Sequence, residues 1–177
     1  DYWLDEFKLQ KQIDFLDKNK DYAMIAHNVI VVDKNGDKIE DTFKNKMYPI
    51  KKEGDFLLND FENGDMFSQT ASIVCRNNFN KLSEDQKEKY FNCIANGDKK
   101  SQLLNLLHGK AKFLPEFMSA HRVVFDEGDS WTAKTHKKNM NFFNYEGSIE
   151  LENLAFELNG TKLNMKNSKL KIIVSAI

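Results

Sequence analysis

Running from Ala23 to Val32, the sequence AMIAHNVIVV has the length and the Ile/Val content of a β-strand. It ends just before Asn35-Gly36, a dipeptide suited to the positive backbone dihedrals of a tight turn. Upstream, Asp5 can cap a helix in which Leu9, Ile13 and Leu16 recur at i, i+4 and i+7 and so share a face. A helix packed on a sheet is the predicted opening unit.

The rest of the chain extends this α/β reading. Glu40 to Asn63 reads as a loop-rich insertion with a short helix near Phe56 to Phe61, and Thr70 to Arg76 as a short buried strand. Ser83 with Gln86 forms a capping box for a helix with Tyr90, Phe91 and Ile94 on its apolar face. A second helix opens at Gly97-Asp98, carries Leu103, Leu104, Leu106 and Leu107, and stops at Gly109, which suits a left-handed cap. Ala111 to Leu114 and Ala120 to Phe125 read as strands. Beyond about Asn144 the pattern fits either a helix followed by strands or strands around Asn159-Gly160.

At 177 residues, 41% hydrophobic and 30% charged, the chain can build a real core. Its formal net charge of -1 removes the basic field that would recruit nucleic acid. No apolar run reaches the ~18 residues that span a bilayer. A cytoplasmic chain is expected, with Cys75 and Cys93 as reduced, buried thiols, because their spacing fits neither a disulfide framework nor a zinc site. His27-Asn28 puts a polar pair inside an apolar strand, where burial demands partners. Trp3 and Trp131 are aromatic platforms for a base or sugar face, or core anchors. Lys134, His136, Lys137 and Lys138 form a basic cluster that could meet phosphate or an anionic membrane surface, or be a solvated helix face.

The order of several motifs resembles bacterial family 2 glycosyltransferases of the GT-A fold. Asp1, Tyr2, Trp3, Asp5, Lys8, Leu9, Gln10 and Gln12 match the stretch that follows the acidic metal-binding motif in that family. Thr70, Ser72 and Arg76, within TASIVCR, match a T-x-S-x-x-x-R-like pattern. Asp98, in NGD, sits where an acidic pair precedes an apolar helix. Arg122, Gly128, Trp131 and Thr132 match a later segment. There the family's Tyr is His121 and its His is Val124, a departure that bears on metal use.

The resemblance implies the acceptor-side, C-terminal half of a GT-A domain over residues 1–132, a mixed sheet flanked by helices, with 133–177 an extension of uncertain structure. Since the chain opens on Asp1, it reads as a piece of a longer parent that transfers a sugar, with inversion, from a nucleotide-diphosphate sugar to a hydroxyl of a glycan or lipid-linked acceptor. The implied roles are Asp98 as general base and Asp1 as ligand of a divalent cation, Mg or Mn, on the leaving diphosphate. Trp3, Thr70, Ser72, Arg76, Arg122 and Trp131 are the implied substrate contacts, and peripheral contact with the inner membrane surface is a further expectation. For Asp98 the alternative is a helix N-cap. Two other functional classes stay open: a non-catalytic α/β binding domain on the same scaffold, and a glycoside hydrolase, which needs two acids about 5 to 10 Å apart.

Overall fold

The computed structural model describes residues 1–39, 50–124 and 140–175. It is an α/β fold around a five-stranded mixed sheet. The strands are β1 (Tyr2–Trp3), β2 (Tyr22–Val32), β3 (Gly54–Phe56), β4 (Val74–Cys75) and β5 (Lys110–Arg122). At the centre β2 and β5 run parallel, from Tyr22 opposite Lys110 to Val32 opposite Arg122. β4 pairs antiparallel with β2, while β3 and β1 pair antiparallel with successive stretches of β5.

β5 is one strand through Pro115, where the sequence suggested two. Proline lacks an N–H and is tolerated in a sheet only where a ladder bond can be dispensed with. Pro115 lies between the stretches of β5 paired to β3 and β1, and the β2 register shifts on either side of Asn28. Asn28 repairs the gap. Its Nδ2 donates to the carbonyls of Lys51 and Pro115, each at 2.8 Å, and its Oδ1 accepts from the Lys51 amide at 2.9 Å. The polar pair in the apolar strand is therefore a structural stitch, with the His27 Nδ1 also 2.8 Å from the Asn28 carbonyl.

Among the described residues six helices accompany the sheet: α1 (Lys8–Lys18), α2 (Leu58–Glu62), α3 (Glu84–Asn92), α4 (Gly97–Leu106), α5 (Asn141–Asn159) and α6 (Lys166–Val174). The main core joins alternate residues of the central strands, Met24, Ala26, Ala111 and Phe113, to Phe56, Phe61, Phe67, Leu103 and Leu104. Leu151, Leu154, Ala155 and Leu158 of α5, with Leu163 and Met165, complete it, so residues 141–174 pack into the same core. α5 ends at Gly160 in the left-handed conformation (φ +77°), as a helix followed by a sharp reversal requires.

Several local expectations are corrected. α1 turns Lys8, Gln12 and Leu16 inward, leaving Leu9 and Ile13 exposed. The reason is polar: Gln12 Nε2 donates to the carbonyls of Ile25 (3.2 Å) and Ser72 (2.8 Å), and the buried Lys8 ammonium donates to Gln12 Oε1 at 3.0 Å. Residues 70–72 form a 3-10 turn, and only Val74–Cys75 is strand. Cys75 is exposed, while Cys93 is buried. Phe91 and Ile94 are exposed. Gly109 is not left-handed; a Cβ there would lie 2.7 Å from the Asp21 carbonyl, so glycine permits a close chain approach. The Ser83–Gln86 capping box is present as expected.

Candidate functional site

Helices that precede parallel strands run antiparallel to them, so the N-termini of α1 and α4 lie toward the edge where β2 and β5 end. β1, antiparallel to β5, brings Asp1 to the same edge. Crevices outside the carboxyl ends of parallel strands are the common ligand sites of α/β sheets. Asp1, Gln69, Thr70, Asp98 and His121 meet here from four separate segments.

At one end, Asp1 Oδ1 accepts from the Arg122 backbone N–H at 2.8 Å and lies 3.1 Å from His121 Nδ1. Gln69 Nε2 approaches the same imidazole nitrogen at 3.2 Å. That nitrogen bonds well to only one neighbour in a given state: protonated it donates to Asp1, unprotonated it accepts from Gln69. Burial holds His121 below its ordinary value of 6.5, which favours the neutral ring. Gln69 is itself anchored, since its Oε1 accepts from Ala71 N at 2.7 Å.

At the other end, Thr70 Oγ1 donates to Asp98 Oδ2 at 2.9 Å. Asp98 is not the helix cap. Asn96 holds that position, its Oδ1 accepting from Asp98 N at 2.8 Å. The Asp98 carboxylate is exposed, and Oδ1 takes no hydrogen bond among the described residues. A carboxylate fixed through one oxygen and open at the other has the geometry of a group that can accept a proton.

Trp3 stands at the same rim, 56% exposed, with the Lys8 ammonium 5.1 Å from its ring centroid. Stacking on a planar or sugar-like ligand is open to it, because more than half its surface meets solvent. The remaining expected contacts fall elsewhere. Ser72 is fully buried, donating to the Gln69 carbonyl at 2.7 Å with its hydroxyl 2.7 Å from that of Ser68; it supports the turn that carries Thr70. Arg76 lies where β2 begins, its guanidinium donating to the carbonyls of Tyr22, Leu16 and Asn19, which closes the end of α1. Arg122 enters the constellation through its backbone. Trp131, Gly128, Thr132 and the basic cluster Lys134–Lys138 lie outside the described residues.

Sequence reasoning missed Gln69. Nothing in periodicity or motif spacing distinguishes it; its contact with His121 spans 52 residues of chain. For a metal, Asp1 and His121 supply a carboxylate oxygen and an imidazole nitrogen, but among the described residues no group of three His, Cys, Asp or Glu comes together. Among those residues, too, no helix is long and apolar enough to cross a membrane.

No protein-family model matches this chain, and neither does any curated protein or solved structure.

Proposed function

We propose that this chain is the acceptor-side part of a GT-A glycosyltransferase, which moves a sugar from a nucleotide-diphosphate donor to a hydroxyl on a glycan or lipid-linked acceptor. The observation that carries the reading is the meeting of Asp98, oriented by Thr70, with the Asp1–His121–Gln69 group at the carboxyl-terminal edge of the parallel strands. Asp98 Oδ1 accepts the proton of the attacking hydroxyl, and Thr70 keeps the carboxylate aimed. Asp1 and His121 form a two-point anchor for Mg or Mn. A cation that binds few protein ligands completes its shell with substrate phosphates and water, and when bound it supplies charge neutralisation for the departing diphosphate. Trp3 offers a face to base or sugar.

The test is Asp98→Asn in the polypeptide that carries this chain, with sugar transfer and nucleoside diphosphate affinity measured in parallel. General-base loss predicts a fall in turnover of about a hundredfold or more, with affinity unchanged. Turnover at the original rate would reduce Asp98 to a surface carboxylate. A second reading, a binding domain on this scaffold without catalysis, is favoured by the sparse metal-ligand set and by Val124 in place of the family's His. It predicts nucleoside diphosphate binding with no turnover.

A further inference from the structure

A separate cleft of about 230 Å³ opens between the first turn of α4 and the paired helices α5 and α6. Its walls combine polar groups, Asn96, Asn144 and Ser168, with the apolar side chains of Phe143, Leu151 and Ile172. Lys99 lines it, one residue beyond Asp98. This ammonium lies 5.3 Å from the ring centroid of Phe61 and takes no hydrogen bond or ion pair among the described residues. By contrast the neighbouring Lys100 donates to the carbonyls of Tyr90 and Cys93 at 3.0 and 2.9 Å.

A half-buried cation in the first turn of a helix is poorly placed on its own, since the helix dipole there favours negative charge. The nearest carboxylates have other partners: Asp65 is bonded to Lys171 at 2.9 Å and Asp98 to Thr70. Burial lowers the Lys99 pKa from its ordinary value, against the pull of Asp65 and Asp98. An incoming anion would supply the missing partner. One wall residue, Phe143, is 37% exposed, so the lining itself offers an apolar face to solvent.

We infer that this cleft binds an amphiphilic anion, a phosphate or carboxylate carried on a hydrocarbon chain, with the head on Lys99 and the chain along Phe143, Leu151 and Ile172. Resting on the transferase reading, this assigns the acceptor class: an anionic lipid-like acceptor enters from the α5–α6 side of the helix that bears Asp98. The site itself stands on the cleft and does not require catalysis.

Octyl phosphate below its micelle concentration is the probe, titrated calorimetrically and by amide chemical shifts, with inorganic phosphate and octanol as the two half-ligands. Saturable binding of octyl phosphate is expected, with shifts centred on Ala95, Gly147 and Ser168. Each half-ligand should bind at least about tenfold more weakly, and Lys99→Met should weaken octyl phosphate by a similar factor, as loss of a charge-assisted bond implies. Ile172→Ala, at a half-buried wall position that tolerates trimming, should weaken octyl phosphate and leave inorganic phosphate unaffected. Binding that is unchanged in Lys99→Met, shifts centred elsewhere, or equal affinity for inorganic phosphate would overturn the site. Octyl phosphate binding by a longer polypeptide carrying this chain that takes up no nucleoside diphosphate would sustain the cleft and overturn the transferase reading.

Discussion

Replacing Asn28 tests how the central strand pair accommodates Pro115. Asn28 is 5% exposed and makes three hydrogen bonds at 2.8, 2.8 and 2.9 Å, two as donor and one as acceptor. Asn28→Ala removes all three and leaves the Lys51 amide, the Lys51 carbonyl and the Pro115 carbonyl without these partners. A hydrogen bond contributes about 0.5 to 1.5 kcal/mol net, and an unsatisfied buried partner costs about 1 to 3 kcal/mol. Lys51 is only half-buried, so water relieves part of the loss; about 2 to 4 kcal/mol of destabilisation is expected. Asn28→Asp is the sharper perturbation. It keeps the acceptor facing the Lys51 amide, but turns both donations into oxygen facing oxygen and adds a buried charge. It should therefore cost more than alanine despite its closer shape. Urea unfolding monitored by far-UV circular dichroism gives both values, with an unchanged m-value indicating that the folded and unfolded states keep their exposed surfaces. If Asn28→Asp is no worse than Asn28→Ala, or if both cost under about 1 kcal/mol, the stitch across Pro115 is not what holds the strands in register.

Stability should also fall in mild acid. Burial lowers the pKa of both His27 and His121 below 6.5; at His27 the hydrogen bond to the Asn28 carbonyl opposes this, Lys8 adds to it, and Glu116 and Asp5 oppose it more weakly. The unfolded chain then binds more protons, so their contribution is fully present above about pH 6.5 and is lost as pH falls through the folded-state values. Urea midpoints across that range should decline in the wild type and decline less in His27→Gln and in His121→Gln; identical slopes in all three would sink the assignment. Capping separates two neighbouring residues: Asn96→Ala should cost about 1 kcal/mol in a thermal melt, and Asp98→Asn less than about 0.5 kcal/mol, because only Asn96 bonds a helix-terminal amide through its side chain. Equal losses would return Asp98 to a structural role.

Elements defined by local chemistry are legible in the sequence. The Ser83–Gln86 box, the α4 leucines and the Ala23–Val32 strand each depend on residues near one another in sequence. The order of elements likewise pointed to an α/β fold, and the family resemblance implied a mixed sheet. Harder to see was the helix in residues 141–159, where exposed Phe142, Phe143 and Phe156 blur the apolar stripe. At the site, Asp1 and Asp98 were named as carboxylates that could do chemistry. Their surroundings were not readable, because Thr70 lies 28 residues from Asp98 and His121 lies 120 from Asp1.

By itself the sequence determined where strands and helices can start and stop, since caps, turns and periodicity act over a few residues. Tertiary structure decided which face each element turns inward. α1 shows why: its spacing favours Leu9 and Ile13 for the core, yet Gln12, one position away, turns inward beside Leu16 and donates to the carbonyls of Ile25 and Ser72. An unpaired buried carbonyl costs more than two half-exposed apolar side chains. The same competition fixed Asn28 inside the sheet and left Lys99 with an aromatic ring for company.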